Sequence, residues 1–361
     1  MFERGVGNGM SLSVILPNYN HGALISRALR ALLEQTPPAD EIIVVDDGST
    51  DDSVEIIETF RRRHPSIRLV RNPTNCGISA SVRAGLEVAT GDYLLFAASD
   101  DFVLPGLFAR AVAALDAHPD AAFFCSGVAM LDAKSRIIGL RPVAYPRRAR
   151  GYLSPTDVRR AIRETDFWFM GPSMIYRRQR LAEIGYFDER LGSICDTLAN
   201  RLLAFRYGFY FDPDVLAAYT KYPQSFSGRI ALSVAEISRL LESAAGWMAQ
   251  NLPEDIRDEH GPVFDRRMRF GMARLWVIWR RGRPNSDAIV DILKLTSFDR
   301  MVMRTLSHVP LLSSVLVLGW MSLRTPPFGV VGLARAWWQS LMFDRFGRAK
   351  VEGLVAKANN Q

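Results

Sequence analysis

Apolar residues along the first 125 positions fall into two alternating kinds of segment. Short apolar runs, which predict strands, occupy 11–17, 41–46, 67–71, 92–97 and 121–126. Segments with apolar residues three or four positions apart, which predict helices, lie between them at 23–34, 54–60, 79–89 and 107–115. Strands that alternate with helices of this length predict an α/β fold with a mostly parallel sheet covered on both faces.

The rest of the chain has a different pattern. Residues 174–176 predict one more strand, and 178–184 and 196–207 predict helices. After Pro223 the apolar spacing is helical only, as in the stripe Ile230, Val234, Ile237 and Leu241. We therefore predict an α/β domain over residues 1–227 and a helical region over residues 228–361.

Charge and cysteine usage narrow the class of protein. The 361 residues carry a net charge of +7, yet residues 261–350 alone hold 15 Lys and Arg against 5 Asp and Glu. A near-neutral body with a basic C-terminal region does not favour a nucleic-acid-binding protein. The three cysteines, Cys76, Cys125 and Cys195, form no CxxC pair, which argues against a disulfide scaffold or structural zinc and favours a reducing compartment. The apolar run 14–16 is too short for a signal peptide, so we predict a cytoplasmic protein.

Polar loops follow the predicted strands where an open parallel sheet binds its ligands. Two of these loops are rich in asparagine and glycine, and two are acidic: Asp46 and Asp47 follow the second strand, and Asp100 and Asp101 follow the fourth. Aspartates at such positions also cap helices and form turns. Two acidic clusters at one sheet edge nevertheless favour a bound Mg²⁺ or Mn²⁺ that bridges to phosphate. Neither a GxGxxG motif nor a P-loop lysine motif is present.

Several motifs together resemble family-2 glycosyltransferases of the GT-A fold. The likeness is carried by SVILPNYN at 13–20, VDDGSTD at 45–51, GDYLLF at 91–96 and the pair Asp100 and Asp101. It continues through Arg177, Arg178, GYFDE at 185–189, Asp196 and RYGF at 206–209, to about Ser227. The resemblance implies a Rossmann-like sheet flanked by helices, with a nucleotide-binding half over about 1–125 and an acceptor half over 126–227. The basic helical region would be a C-terminal extension.

The resemblance also implies an activity and its residues. The protein would be an inverting, metal-dependent glycosyltransferase that uses Mn²⁺ or Mg²⁺ and a nucleoside-diphosphate sugar, with UDP favoured over GDP or dTDP. Its acceptor would be a glycan or a lipid-linked molecule in cell-surface polysaccharide synthesis. The implied roles are Pro17 and Tyr19 beside the nucleotide base, Asp47 bonded to it, Asn75 and Arg83 along the nucleotide, Asp100 with Asp101 at the metal, and Asp196 as catalytic base.

Three positions depart from the family pattern and leave other functions open. Ala98 replaces an aspartate, Cys195 replaces an acid before the base, and Lys221 begins a KYP segment where a histidine is usual. A QxxRW motif is absent, which favours a single transfer over processive synthesis. The alternatives are a nucleotidyltransferase, against which the non-basic loop 17–20 counts, and a non-catalytic scaffold. Trp168 would either stack on an acceptor sugar or belong to the core.

The tail suggests contact with a membrane surface. Residues 309–323 are uncharged, but these 15 positions fall short of the ~20 that a spanning helix needs. The residues that follow mix basic and aromatic side chains: Arg324, Arg335, Trp337, Trp338, Phe343, Arg345, Phe346, Arg348 and Lys350. Such a mixture is typical of a helix on an anionic membrane surface, and equally of a packing layer with solvated arginines. Both interpretations stay open, so peripheral contact with the inner face of the membrane is one of two expectations for the tail, and no nucleic-acid partner is predicted.

Overall fold

Ten strands form one sheet in the part of the chain that the structure describes. The computed structural model describes residues 11–166, 168–221, 234–278, 284–309 and 312–360. The strands are β1 Leu12–Asn18, β2 Glu41–Asp46, β3 Ile67–Arg71, β4 Tyr93–Phe96, β5 Phe102–Val103, β6 Phe123–Leu131, β7 Ile137–Arg141, β8 Gly151–Leu153, β9 Ile175–Arg177 and β10 Phe209–Thr220. Their order is β3-β2-β1-β4-β9-β6-β10-β5, with β7 paired to β6 and β8 paired to β10.

The N-terminal half of the sheet is parallel. β2 pairs with β1 and β3, and β4 pairs with β1, all in the same direction. The short strand β9 runs antiparallel between β4 and β6 and so joins the parallel half to the β6–β10 pair. As a result, the loops after β1, β2, β3 and β4 leave the sheet at one edge.

Seven helices lie within the α/β part and seven more follow it among the described residues. The first group is α1 Gly22–Leu33, α2 Ser53–Arg63, α3 Ile78–Val88, α4 Leu107–Ala117, α5 Pro155–Glu164, α6 Arg178–Glu183 and α7 Cys195–Tyr207. The second group is α8 Val234–Asn251, α9 Glu254–Ile278, α10 Ser286–Leu293, α11 Ser297–Ser307, α12 Ser313–Arg324, α13 Val330–Met342 and α14 Arg348–Asn360. None of the described helices is long and apolar enough to cross a membrane.

The alternation of side chains along the central strands builds a core on each face of the sheet. Ile15 and Ile43 belong to one buried cluster, and their neighbours Val14 and Ile42 belong to the other. The C-terminal helices take part in both clusters. Side chains from α8 to α12 join the first, whereas Phe343, in a short π-helical turn, and two valines of α14 join the second. The helical region therefore contributes to the buried clusters on both sides of the sheet.

The structure confirms the predicted α/β class and the mostly parallel first four strands. The predicted strand 11–17 runs from Leu12 to Asn18, so Pro17 does not end it. Trp168 is fully buried, its Nε1–H donates to Thr165 Oγ1 at 2.8 Å, and its ring stacks on Phe209, so it belongs to the core. The predicted boundary at residues 227/228 and the residues Tyr222 and Pro223 lie outside the described residues.

Several elements were not predicted. α5 begins with a capping box in which Ser154 and Asp157 bond reciprocally. β10 is twelve residues long but contains Asp212, Pro213 and Asp214, which break the strand pattern. The register of β10 on β6 shifts at this point, and Arg110 of α4 pairs with both aspartates, at 3.4 and 2.7 Å. A neighbouring helix thus neutralises charges that a sequence pattern counts against a strand.

Candidate active site

The loops at the carboxyl edge of the sheet are joined by side-chain hydrogen bonds. Asn18 Nδ2 donates to Asp46 Oδ1 at 3.1 Å, which ties the end of β1 to the end of β2. Asn20, at a positive φ of 52°, accepts the N–H of Thr50 at 2.8 Å. His21 Nδ1 lies 2.7 Å from Ser99 Oγ in the loop after β4. Residues far apart in sequence therefore form one fixed rim.

Asp47 holds the loop after β3. Its Oδ1 accepts Asn72 Nδ2–H at 2.7 Å and the N–H of Cys76 at 2.9 Å, and its Oδ2 accepts the N–H of Gly77 at 2.8 Å. Burial acts to raise the pKa of Asp47, but these donors outweigh it and lower that pKa below the ordinary value. Gly48, at φ 73°, permits the approach, because a Cβ there would lie 2.8 Å from the backbone of Thr74.

A large pocket opens beside this rim, with a volume of about 660 Å³. Three parts of the chain supply most of its wall: helix α3, the loop after β4, and the segment 185–196 that leads into α7. The charged side chains lining it are Arg83, Glu87, Asp100, Asp101, Glu189 and Asp196. Tyr186, Phe187 and Tyr219 add aromatic surface. The volume lies within the range of about 300–1,000 Å³ that is usual for small-molecule and cofactor sites.

Asp100 and Asp101 form the acidic side of the pocket. Asp101 is buried, with 6% of its surface exposed, and its Oδ1 accepts the N–H of Thr220 at 2.9 Å. Burial and the adjacent charge of Asp100 raise the pKa of Asp101 well above its ordinary range. Asp100 is half-buried, and its backbone carbonyl accepts Arg27 Nη2–H at 3.0 Å. The pair concentrates negative charge in a partly enclosed place.

The donor set suits a hard divalent cation that is shared with a ligand. Within the described ranges no cluster of three or more His, Cys, Asp or Glu side chains is arranged to hold a metal. On this side of the pocket Asp100 and Asp101 supply carboxylate oxygens, and Ala98 beside them supplies no ligand. Mg²⁺ and Mn²⁺ sites commonly use one or two carboxylates, with water and phosphate oxygens completing the coordination. These residues therefore fit a cation that a diphosphate helps to bind.

Asp196 lies in the first turn of α7 and lines the pocket. The N-cap position belongs to Ile194, while Asp196 Oδ1 accepts the N–H of Thr197 at 2.6 Å. Its side chain is reached by solvent from the pocket, yet the surrounding protein desolvates it. This desolvation raises the pKa of Asp196 above the ordinary aspartate value, against the opposing effect of the Thr197 bond. A carboxylate with a raised pKa is a stronger base than an aspartate with an ordinary pKa.

Two further side chains define the opposite wall. Arg83 of α3 pairs with Glu189 at 3.2 Å, and both are largely exposed, so the pair adds little stability and can open for a phosphate. Cys195 is no nucleophile, because burial, with a contribution from Asp196, raises the pKa of its thiol to about 11. The thiol would stay protonated in the cell.

The structure brings some of the predicted residues together and separates others. Arg83, Asp100, Asp101 and Asp196 line one pocket. Of the described residues, Pro17, Tyr19, Asp47 and Asn75 do not line it. Pro17 is buried in β1, whereas Tyr19 and Asn75 are exposed on the neighbouring loops. The contacts with the nucleotide base assigned to Pro17, Tyr19 and Asp47, and the place along the nucleotide assigned to Asn75, stay predictions.

Sequence reasoning gave no role to three residues that shape the site. Arg27 binds the backbone of Asp100 and stacks 4.5 Å from the Phe102 ring centroid. Glu189 pairs with Arg83, and Tyr219 lines the pocket from β10. Glu189 lies inside the matched GYFDE motif, so the sequence could have indicated a role for it. Arg27 lies in a helix and Tyr219 in an unpredicted strand, and no motif singles out either residue.

The fold and site define a class, and comparison with known proteins gives its family. The fold is that of GT-A glycosyltransferases: TarS 1–349 of Staphylococcus aureus, solved with UDP-GlcNAc, superposes with a TM-score of 0.58 at 20% identity over 87% of this chain and 92% of that one. The mannosyltransferase PcManGT of Pyrobaculum calidifontis, solved with GDP-Man and Mn²⁺, superposes with a TM-score of 0.55 at 18% identity, over 94% of this chain and 88% of that one. Residues 13–185 match the model of Glycosyl transferase family 2, and this part of the chain belongs to that family.

Curated relatives match mainly in the N-terminal part. The uncharacterized glycosyltransferase YibD of Escherichia coli is 43% identical over 97 residues, which are 27% of this chain and 28% of that protein. The Staphylococcus aureus poly(ribitol-phosphate) β-N-acetylglucosaminyltransferase TarS is 30% identical over 193 residues, 52% of this chain and 31% of that protein. The chain thus spans about a third or less of these two relatives.

Proposed function

We propose that this protein is an inverting glycosyltransferase. It moves a sugar from a nucleoside-diphosphate donor to a hydroxyl of a glycan or lipid-linked acceptor, in the cytoplasm, during synthesis of a cell-surface polysaccharide. One observation carries the proposal: Asp100, Asp101, Arg83 and Asp196 line a single pocket of about 660 Å³. It holds an acidic pair suited to a cation, an arginine suited to phosphate, and a separate carboxylate with a raised pKa.

Asp196 is the catalytic base in this proposal. Its carboxylate takes the proton from the acceptor hydroxyl as that oxygen attacks the anomeric carbon. The bond from the anomeric carbon to the diphosphate oxygen breaks, and the departing nucleoside diphosphate keeps the electron pair. Attack on the side opposite the leaving group inverts the configuration. Arg83, released from Glu189, lies where it would stabilise the phosphate charge.

Asp100 and Asp101 are the proposed holders of Mn²⁺ or Mg²⁺. The cation would offset the negative charge that develops on the leaving diphosphate. The donor is proposed to be a UDP-sugar, with GDP- and dTDP-sugars as alternatives, because the structural neighbours were solved with UDP-GlcNAc and with GDP-Man and Mn²⁺. A role in the synthesis of a cell-surface polymer is supported by the name of the relative TarS, a poly(ribitol-phosphate) β-N-acetylglucosaminyltransferase. In this proposal residues 1–125 bind the nucleotide of the donor, and residues 126–227 bind the acceptor.

A thermal-shift series with nucleotides and metal tests the donor site. UDP, GDP and dTDP are each added with and without Mn²⁺, and we expect at least one to raise the melting temperature in a metal-dependent way. A ligand at a hundred times its Kd stabilises the native state by about 2.7 kcal/mol. The Asp100→Asn variant should bind the nucleotide in the presence of Mn²⁺ at least about tenfold more weakly than the wild type, which corresponds to ~1.4 kcal/mol of binding free energy.

The matched control is Asp120→Asn, since Asp120 is exposed and lies away from the pocket. It should bind nucleotide and metal like the wild type. Failure of every nucleotide to bind, with and without metal, would contradict the proposal and favour a non-catalytic scaffold. Turnover of a nucleoside triphosphate with a sugar phosphate would instead establish a nucleotidyltransferase.

A further inference from the structure

Helix α13 turns its large apolar side chains toward solvent. Val330, Leu333, Trp337 and Leu341, here called the α13 stripe, are 84%, 49%, 69% and 47% exposed. Their spacing of three and four residues places them on one side of the helix. A surface helix ordinarily packs such a stripe against the core. An exposed contiguous apolar surface of this kind marks an interaction site.

The opposite side of α13 fixes this orientation. Gly332 is buried against the end of α5, where a Cβ would lie 2.2 Å from the carbonyl oxygen of Glu164. Gln339 is also buried: its Nε2–H donates to the carbonyl of Pro142 at 2.8 Å, and its Oε1 accepts the N–H of Tyr145 at 2.8 Å. Turning the stripe inward would break these contacts. The outward stripe is therefore built into the packing.

Basic side chains lie beside the stripe. The guanidinium of Arg148 lies 4.5 Å from the ring centroid of Trp338, which flanks the stripe. The turn after α13 adds the exposed side chains of Arg345 and Phe346. Arg335 of α13 instead donates to the carbonyl of Pro146 at 3.4 Å, on the packed side of the helix. Arg148 and Arg345 thus form a basic rim beside apolar and aromatic groups, and this combination complements a negatively charged, apolar surface.

We propose that the α13 stripe docks on an anionic lipid bilayer, with its apolar side chains in the interfacial region and the arginines at the lipid headgroups. A second copy of the chain is a poorer occupant, because a symmetric contact would bring two basic rims together. The docking goes beyond the proposed transfer reaction and does not require it. It would hold the pocket near lipid-linked acceptors.

Vesicle flotation tests the docking directly. The full chain is mixed with vesicles of phosphatidylcholine and phosphatidylglycerol, or of phosphatidylcholine alone. We expect flotation with the anionic vesicles, weakened by added salt because exposed charges are screened. Trp337→Ser should lower the partition coefficient at least about tenfold, since loss of a large interfacial ring removes about 1.4 kcal/mol or more. Truncation is unsuitable, because Val317 and Met321 of α12 are buried in the core.

The matched control is Phe298→Ser, which removes an aromatic ring that is 59% exposed on α11. It should float like the wild type, and both variants should keep the wild-type melting temperature and nucleotide binding. Absence of wild-type flotation overturns the docking, as does an equal loss in both variants. A concentration-dependent dimer that Trp337→Ser dissolves, without vesicle binding, would assign the stripe to a second copy. Each of these readouts is independent of transferase activity.

Discussion

Replacing Asp196 by asparagine is expected to lower kcat on the order of 10²- to 10⁴-fold, the usual contribution of a general base. Donor binding should persist, because Arg83, Asp100 and Asp101 are unchanged. The asparagine carbonyl can still accept the N–H of Thr197, which Asp196 Oδ1 accepts at 2.6 Å, so the first turn of α7 should stay folded. The substitution therefore removes the proton acceptor and little else.

The proposed role of Asp196 also predicts how the transfer rate depends on pH. Desolvation by the surrounding protein raises the pKa of Asp196, and a base acts only when it is ionised. Transfer should therefore fall as the pH drops through that raised pKa, beginning at a higher pH than for an ordinary aspartate. The Asp196→Asn variant should lose this acidic limb along with most of its rate.

Steady-state kinetics with the donor found by thermal shift would measure both effects. Cys195→Ser serves as the control, because Cys195 adjoins Asp196 and lines the same pocket but has no proposed chemical role. It should retain most of the wild-type kcat and the same acidic limb. Undiminished turnover by Asp196→Asn would refute the base assignment while leaving the donor site intact.

The second large effect is expected at Arg267, whose replacement by leucine should lower the free energy of unfolding by about 3–5 kcal/mol. Its side chain is fully buried in α9. It donates to the carbonyls of Ile162, Arg163 and Thr165 at the end of α5, and to the carbonyl of Pro327 between α12 and α13. Leucine fills part of the space but leaves these buried acceptors without a donor.

A buried carboxylate makes this loss larger. Asp166 Oδ2 lies 3.9 Å from Arg267 Nη1, and Asp166 Oδ1 accepts a hydrogen bond from Arg201 of α7 at 2.7 Å. Arg201 also donates to the carbonyl of Thr197, next to Asp196. The cluster thus links the C-terminal helices to the helix that carries the proposed base.

Urea denaturation followed by circular dichroism would measure the change. Arg266→Leu is the matched control, because the neighbouring Arg266 is exposed, and its effect should stay within about 0.5 kcal/mol. If Arg267→Leu unfolded at the same urea concentration as Arg266→Leu, the buried cluster would contribute nothing to stability.

Much of the parallel half of the fold was predictable, because its strands are continuous apolar runs. β2 runs from Glu41 to Asp46 as predicted, and β3 from Ile67 to Arg71. Such runs are typical of strands buried on both faces. The shared pocket position of Asp100 and Asp196 was predictable for a different reason, because both residues belong to an ordered set of motifs.

The remaining features depend on contacts between distant residues. The charges in β10 are acceptable only because Arg110 pairs with Asp212 and Asp214. Both carboxylate oxygens of Asp47 accept backbone N–H groups of the loop after β3, those of Cys76 and Gly77, and no local sequence pattern predicts these bonds. The sequence left both a membrane-surface helix and a packing layer open for the tail, and only the packing of Gly332 and Gln339 shows that the α13 stripe faces outward.

The C-terminal helices add side chains to the buried clusters on both sides of the sheet, and this constrains how such a chain can change. Side chains from α8 to α12 belong to one cluster, and Phe343 with two valines of α14 belongs to the other. An exchange of this region for a foreign one would have to restore both clusters at once. New docking surfaces should therefore arise more readily by point substitution on the outer helices, such as α13, than by replacement of the whole region.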